Sequence, residues 1–152
     1  MPLPGENLTP WLEAVRAAGG KNLLVLARES RKRGWTDAAF VRYYVRRYGH
    51  LLDALQVGNE PDAYLLPEPS PSSWSMKPKR LSRLWDRAHE VFRLYGKPCP
   101  LIGAGLVSGQ PSYIANGLAV NLLDAIAVHP YAKDADTLDE LLDAYRAVMS
   151  LP

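Results

Sequence analysis

The sequence predicts an α/β fold built from parallel (β/α) units, and three observations lead there. Helix and strand signals alternate from end to end. The strand candidates are short, continuously apolar runs, as expected of strands covered on both faces. Each pair of strands is separated by enough chain for a crossover helix. A length of 152 residues suits one domain spanning 1–152, and 47% apolar with 22% charged residues is ordinary for a soluble globular protein.

The elements follow in order. "TPWLEAVRAAGG" reads as a helix, with Thr9 as N-cap, Pro10 at the first helical position and Gly19-Gly20 as the stop. "NLLVLA" is the first strand, near 22–27. A second helix starts at Thr36; Phe40, Val41, Tyr44, Val45 and Tyr48 recur at helical spacing, and Gly49 ends it. "DALQVG" is the second strand, near 53–58, followed by the irregular loop "LLPEPSPSSWSMKP". Leu81, Leu84, Trp85, Ala88, Val91, Phe92 and Tyr95 then form one apolar helical stripe closed by Gly96. "PLIGAGLV" is a third strand, near 100–107, and "PSYIANGLA" a short helix. "DAIAVHPYA" opens with the fourth strand, near 124–129. "TLDELLDAYRAVM" closes the series, with a Thr137/Glu140 capping box.

Charge and cysteine content exclude several classes. Net charge is +2, which by itself favours neither nucleic acid nor an anionic membrane. Residues 1–50 carry nine Lys/Arg against four Asp/Glu, and the excess lies in "RESRKRG" and "RYYVRRY". These read as a solvated loop and an exposed helix face; no nucleic-acid motif accompanies them. The single Cys99 rules out an intrachain disulfide and a cysteine-built zinc site. No apolar run reaches membrane-spanning length, and "MPLPGENLTP" lacks the basic start and apolar stretch of a signal peptide. Taken literally the chain is expected to stay in the cytosol, although a longer parent protein could be secreted. No cofactor is implied.

In a parallel α/β sheet, chemistry sits at the C-terminal ends of the strands. Those positions hold Arg28, then Asn59-Glu60-Pro61, then Gly103 and Gly105, and finally His129-Pro130-Tyr131. No GxGxxG or GxxxxGK[ST] lies between a strand and a helix, so no nucleotide fingerprint competes. Each residue also has a plainer reading. Asn-Glu-Pro is a good turn starter, His129 a satisfied strand-end histidine, Tyr131 and Trp85 core, and Asp62 a loop cap.

The joint arrangement resembles clan A glycoside hydrolases, the (β/α)₈ retaining glycosidases that include families 5, 39 and 79. "QVGNEPD" is similar to the clan's strand-4 signature, "PLIGAGLVSG" to strand 5, and "LLDAIAVHPYA" to strand 6 with its His-x-Tyr end. The resemblance implies a partial TIM barrel covering strands 3 to 6. It implies O-glycoside hydrolysis with Glu60 as general acid/base. Asn59 would bond the sugar 2-hydroxyl, Tyr131 would steer the nucleophile, and His129 would line the same subsite. Arg28 corresponds loosely to polar residues ending strand 3, and Trp74 in the long loop would stack on a sugar ring.

Retaining hydrolysis needs a second carboxylate about 5–5.5 Å from the acid. The clan takes it from strand 7, and no Asp or Glu after Tyr131 sits at a strand end of this chain. The expectation is therefore a glycosidase-like chain, inactive alone. The alternatives are a non-catalytic carbohydrate-binding or assembly module, or an unrelated α/β protein with a phosphorylated ligand. A four-stranded slice would also expose two sheet edges, inviting self-association or pairing with a missing barrel half.

Overall fold

The computed structural model describes residues 5–27, 30–65, 76–96, 98–107, 112–113, 120–129 and 135–149. Four strands, β1 (Leu23–Leu26), β2 (Ala54–Val57), β3 (Leu101–Leu106) and β4 (Ala125–Val128), form one sheet in the order β1-β2-β3-β4. All three pairings are parallel. The helices are α1 (Thr9–Ala17), α2 (Asp37–Tyr48), α3 (Pro78–Leu94) and α4 (Ala135–Met149).

Strand order distinguishes a doubly wound sheet from the winding of a (β/α) barrel, both of which alternate helix and strand. A doubly wound sheet reverses direction at a switch point and carries helices on both faces. Here the order runs straight through, and α2 and α3 pack against each other. Crossovers of one hand, always stepping the same way, place their helices on one face. This is the winding of (β/α) units around a barrel, in half the eight strands that close one.

Register explains which side chains meet the helices. Leu24, Leu55 and Leu101 form one row across the sheet, and Leu26 and Val57 stand beside each other one step on. All five are buried in the cluster containing Phe40, Leu81, Leu84 and Trp85. The opposite face carries Val25, Gln56, Ile102 and Ala125 as its row. Val25 and Ile102 are half-buried and Ala125 is exposed, whereas Gln56 is buried between its neighbours.

The helices follow from their stripes and caps. Thr36 caps α2 with its hydroxyl oxygen accepting from Ala39 N–H at 3.2 Å. Asp37 at its first position accepts from Arg31 (2.7 Å) and from Arg80 of α3, tying the two helices together. Trp85 of α3 is fully buried and donates its indole N–H to Val57 O at 2.9 Å. Burial and a satisfied donor make it the anchor between helix layer and sheet.

Some boundaries differ from expectation. Thr9 lies inside α1, not at its cap; Leu8 is the N-cap, and Asn7 Oδ1 accepts from Thr9 N–H at 3.3 Å. Two capping residues stand two apart, and Pro10 fits either of the first helical positions. Gly49 ends α2 as expected, as its C-cap, but in a right-handed conformation (φ −52°) that opens the 3-10 turn Gly49–Leu51. Tyr95 leaves the α3 stripe, capping the helix at 41% exposure. Helix α4 begins at Ala135, two residues before the Thr137 box. Of the short helix in "PSYIANGLA", only Ser112 and Tyr113 are described, both helical.

Candidate active site

β2 ends at Val57, and the next five residues break away in a defined way. Gly58 has φ +105°, and a Cβ there would come 2.8 Å from Ala104 Cβ, so only glycine fits. Glu60 has φ +46° and is the one non-glycine residue with positive φ among the described residues. A left-handed Glu stores about 1–3 kcal/mol of backbone strain, and such strain clusters at functional sites.

The strained turn is stitched to the end of β3. Asn59 forms an isolated parallel bridge with Gly105, and Glu60 N–H donates to Gly105 O at 2.8 Å. Asp62 is fully buried, and its two carboxylate oxygens accept from Val107 N–H at 3.0 and 3.1 Å. From the other side, His129 N–H donates to Leu106 O at 2.7 Å. Three successive residues, Gly105, Leu106 and Val107, thus hold Glu60, His129 and Asp62. Asp62 is the loop fastener that its plainer reading suggested.

Gly105 also shapes the site by lacking a side chain. The His129 ring occupies the space a Cβ would need, which would sit 2.5 Å from Cε1 and 3.0 Å from Cδ2. Lying there, the ring brings Nδ1 to 3.3 Å from Glu60 Oε1. The side chains of His129 and Glu60 are 31% and 22% exposed, reachable but partly shielded. The contact can hold a proton on either partner: an imidazole N–H donates to the carboxylate, and a carboxylic acid donates to the imidazole. General acid–base work asks for such a pair.

Two residues given no site role from sequence, Gln56 and Gly105, support the break. Gln56 is buried on the strand face opposite the helices and donates Nε2–H to Gly58 O at 3.0 Å. Its signal was a lone amide inside an otherwise apolar strand. The role of Gly105 had no local signal, since it depends on what lies across the sheet.

From the rim, a groove of about 530 Å³ runs along the open edge of β1, lined by Asn59, Leu23, Val25, Leu8 and Trp11. Of the other carboxylates at the sheet, Asp53 and Asp124 precede β2 and β4, at the opposite end. There they accept from Asn22 N–H and Leu101 N–H, each at 2.8 Å. No cluster of three or more metal-ligating side chains occurs among the described residues. Burial pushes the Cys99 thiol up to about 11, so it is an inert core residue.

The structure therefore brings together three of the predicted site residues, Asn59, Glu60 and His129. Arg28, Trp74 and Tyr131 lie outside the described residues. No helix among the described residues is long and apolar enough to cross a membrane. Compared with protein-family models and with curated proteins, the chain matches none of them.

Proposed function

We propose that this rim belongs to a glycoside hydrolase of the retaining type, with Glu60 as general acid/base and Asn59 and His129 in the sugar subsite. The observation that carries the reading is the strained Glu60 at a strand end, its carboxylate in contact with His129. Position, residue type and proton-sharing partner fit a group that protonates a leaving oxygen and later accepts a proton from water. By the resemblance described above, Tyr131 and Arg28 complete the subsite and Trp74 stacks on a sugar ring.

Among the described residues no second carboxylate stands at the rim. Asp62 points its charge into the protein, onto Val107 N–H, and Asp53 and Asp124 stand at the far end of the sheet. In this proposal the nucleophile comes from a further strand paired to the open sheet, from a second copy or a missing barrel half. The same observation favours a second reading, a carbohydrate-binding module that keeps the rim without turnover.

Calorimetric titration with β-linked oligosaccharides tests the shared part. Binding is expected, weakened about tenfold by Asn59→Ala through loss of a buried sugar hydrogen bond. Absence of binding to every saccharide by the folded chain would overturn both readings.

A further inference from the structure

A second polar site lies away from the sheet rim, in the helical layer. A cavity of about 360 Å³ opens between α2, α3 and the β1–α2 connection. Four arginines line it, Arg31, Arg80, Arg83 and Arg87, against two carboxylates, Asp37 and Asp86. Its lining therefore carries a formal charge of +2.

Internal pairing does not use up these donors. Asp37 accepts from Arg31 at 2.7 Å and from both terminal nitrogens of Arg80, fixing those two guanidinium groups as walls. Hydrogen bonding to Arg80 holds the Asp37 carboxyl below its ordinary range, so this carboxylate stays charged and committed. Arg87 pairs through one nitrogen, Nη1, with Glu90, leaving its other N–H groups available. Arg83, exposed on α3, has no hydrogen bond or ion pair with any of the described residues. The unpaired Arg83 charge and the unused N–H groups of Arg87 face one cavity whose lining is net positive, a field that favours an entering anion.

From this arrangement we infer a site for a tetrahedral oxyanion, the phosphate or sulfate group of a small ligand. Planar guanidinium forks suit such groups because they present paired N–H donors at the spacing of two oxygens. The cavity volume is at the small end of ligand pockets, which fits one group of that size with part of its carrier. The inference stands apart from the hydrolase reading, since none of these residues belongs to the rim.

Binding of phenyl phosphate and of phenyl sulfate, measured by calorimetry at fixed ionic strength, tests it. At least one should bind, and Arg83→Gln combined with Arg87→Gln should weaken it about tenfold or more, because charge-assisted hydrogen bonds are lost. Arg46→Gln, an exposed α2 change outside the cavity, should leave binding unchanged. Tighter binding of the phosphate ester names a phosphorylated ligand, and tighter binding of the sulfate ester a sulfated one. Equal heats from sodium chloride, or affinity unaltered in the double variant, would overturn the site.

Discussion

The two faces of the sheet have been treated differently. On the helix side, Leu24, Leu55, Leu101, Leu26 and Val57 are all buried, and Leu26, Leu55 and Val57 completely. On the other side, Leu23 is 53% exposed and Val25 and Ile102 are only half-buried. A parallel sheet normally has both faces covered. The sealed face carries the folding energy, and the open face carries the apolar surface that a closed barrel would bury. The site lies where the two meet, at the strand ends.

Substitutions on the two faces should separate most widely at Trp85 and Leu23. Trp85→Ala removes the largest buried side chain and an indole hydrogen bond to Val57 O. The expected cost is about 3–5 kcal/mol in urea denaturation. Leu23→Ala should cost under about 1 kcal/mol, since little of its area is removed from water. Similar losses at both positions would mean the open face is covered in solution.

The next test moves to the rim. Gly105→Ala puts a methyl where the His129 ring lies, and overpacking of this kind costs about 1–3 kcal/mol. The same change made in a His129→Ala background should cost far less, because the ring is gone. Equal costs in both backgrounds would show that Gly105 answers to backbone geometry and not to His129.

A smaller effect tests how the sealed layer is held. Asp37→Asn should lower stability by about 1–2 kcal/mol near neutral pH through weaker bonds to Arg80 and Arg31. The carboxyl is depressed in the folded state, so its contribution is complete above the unfolded value. That contribution is lost as pH falls through the folded one. The wild-type advantage should therefore shrink from ~pH 5 towards ~pH 3. An advantage constant over that range would remove Asp37 as its source.

Much of the fold was legible because its signals are local. The apolar runs "NLLVLA" and "DALQVG" contain β1 and β2, and the spacing of Leu81, Leu84, Trp85 and Ala88 marks the buried face of α3. Helix starts were read less well where two capping residues compete, as at Asn7 and Thr9. The placing of Asn59, Glu60 and His129 on one rim follows from parallel strands alone. Their contacts do not: the Glu60–His129 distance depends on the register shift between Gly103 and Leu106 and on the empty space at Gly105. Both are properties of strands meeting across the sheet, and no periodicity within one segment encodes them. For the same reason, the basic stretch "RESRKRG" read as solvated, whereas Arg31 closes onto Asp37 beside three arginines of α3.

The proposed role of Glu60 is that of an acid/base with no partner carboxylate at the rim among the described residues. Hydrolysis of a phenyl β-glycoside by the chain, with and without molar formate, tests it most directly. Formate is small enough to act as the absent nucleophile, while phenolate leaves slowly enough to need a proton. The predicted result is no turnover above Glu60→Gln without formate, and formate-dependent turnover in the wild type alone. Formate-independent turnover lost in Glu60→Gln would contradict the missing carboxylate, and no turnover under any condition would contradict the acid.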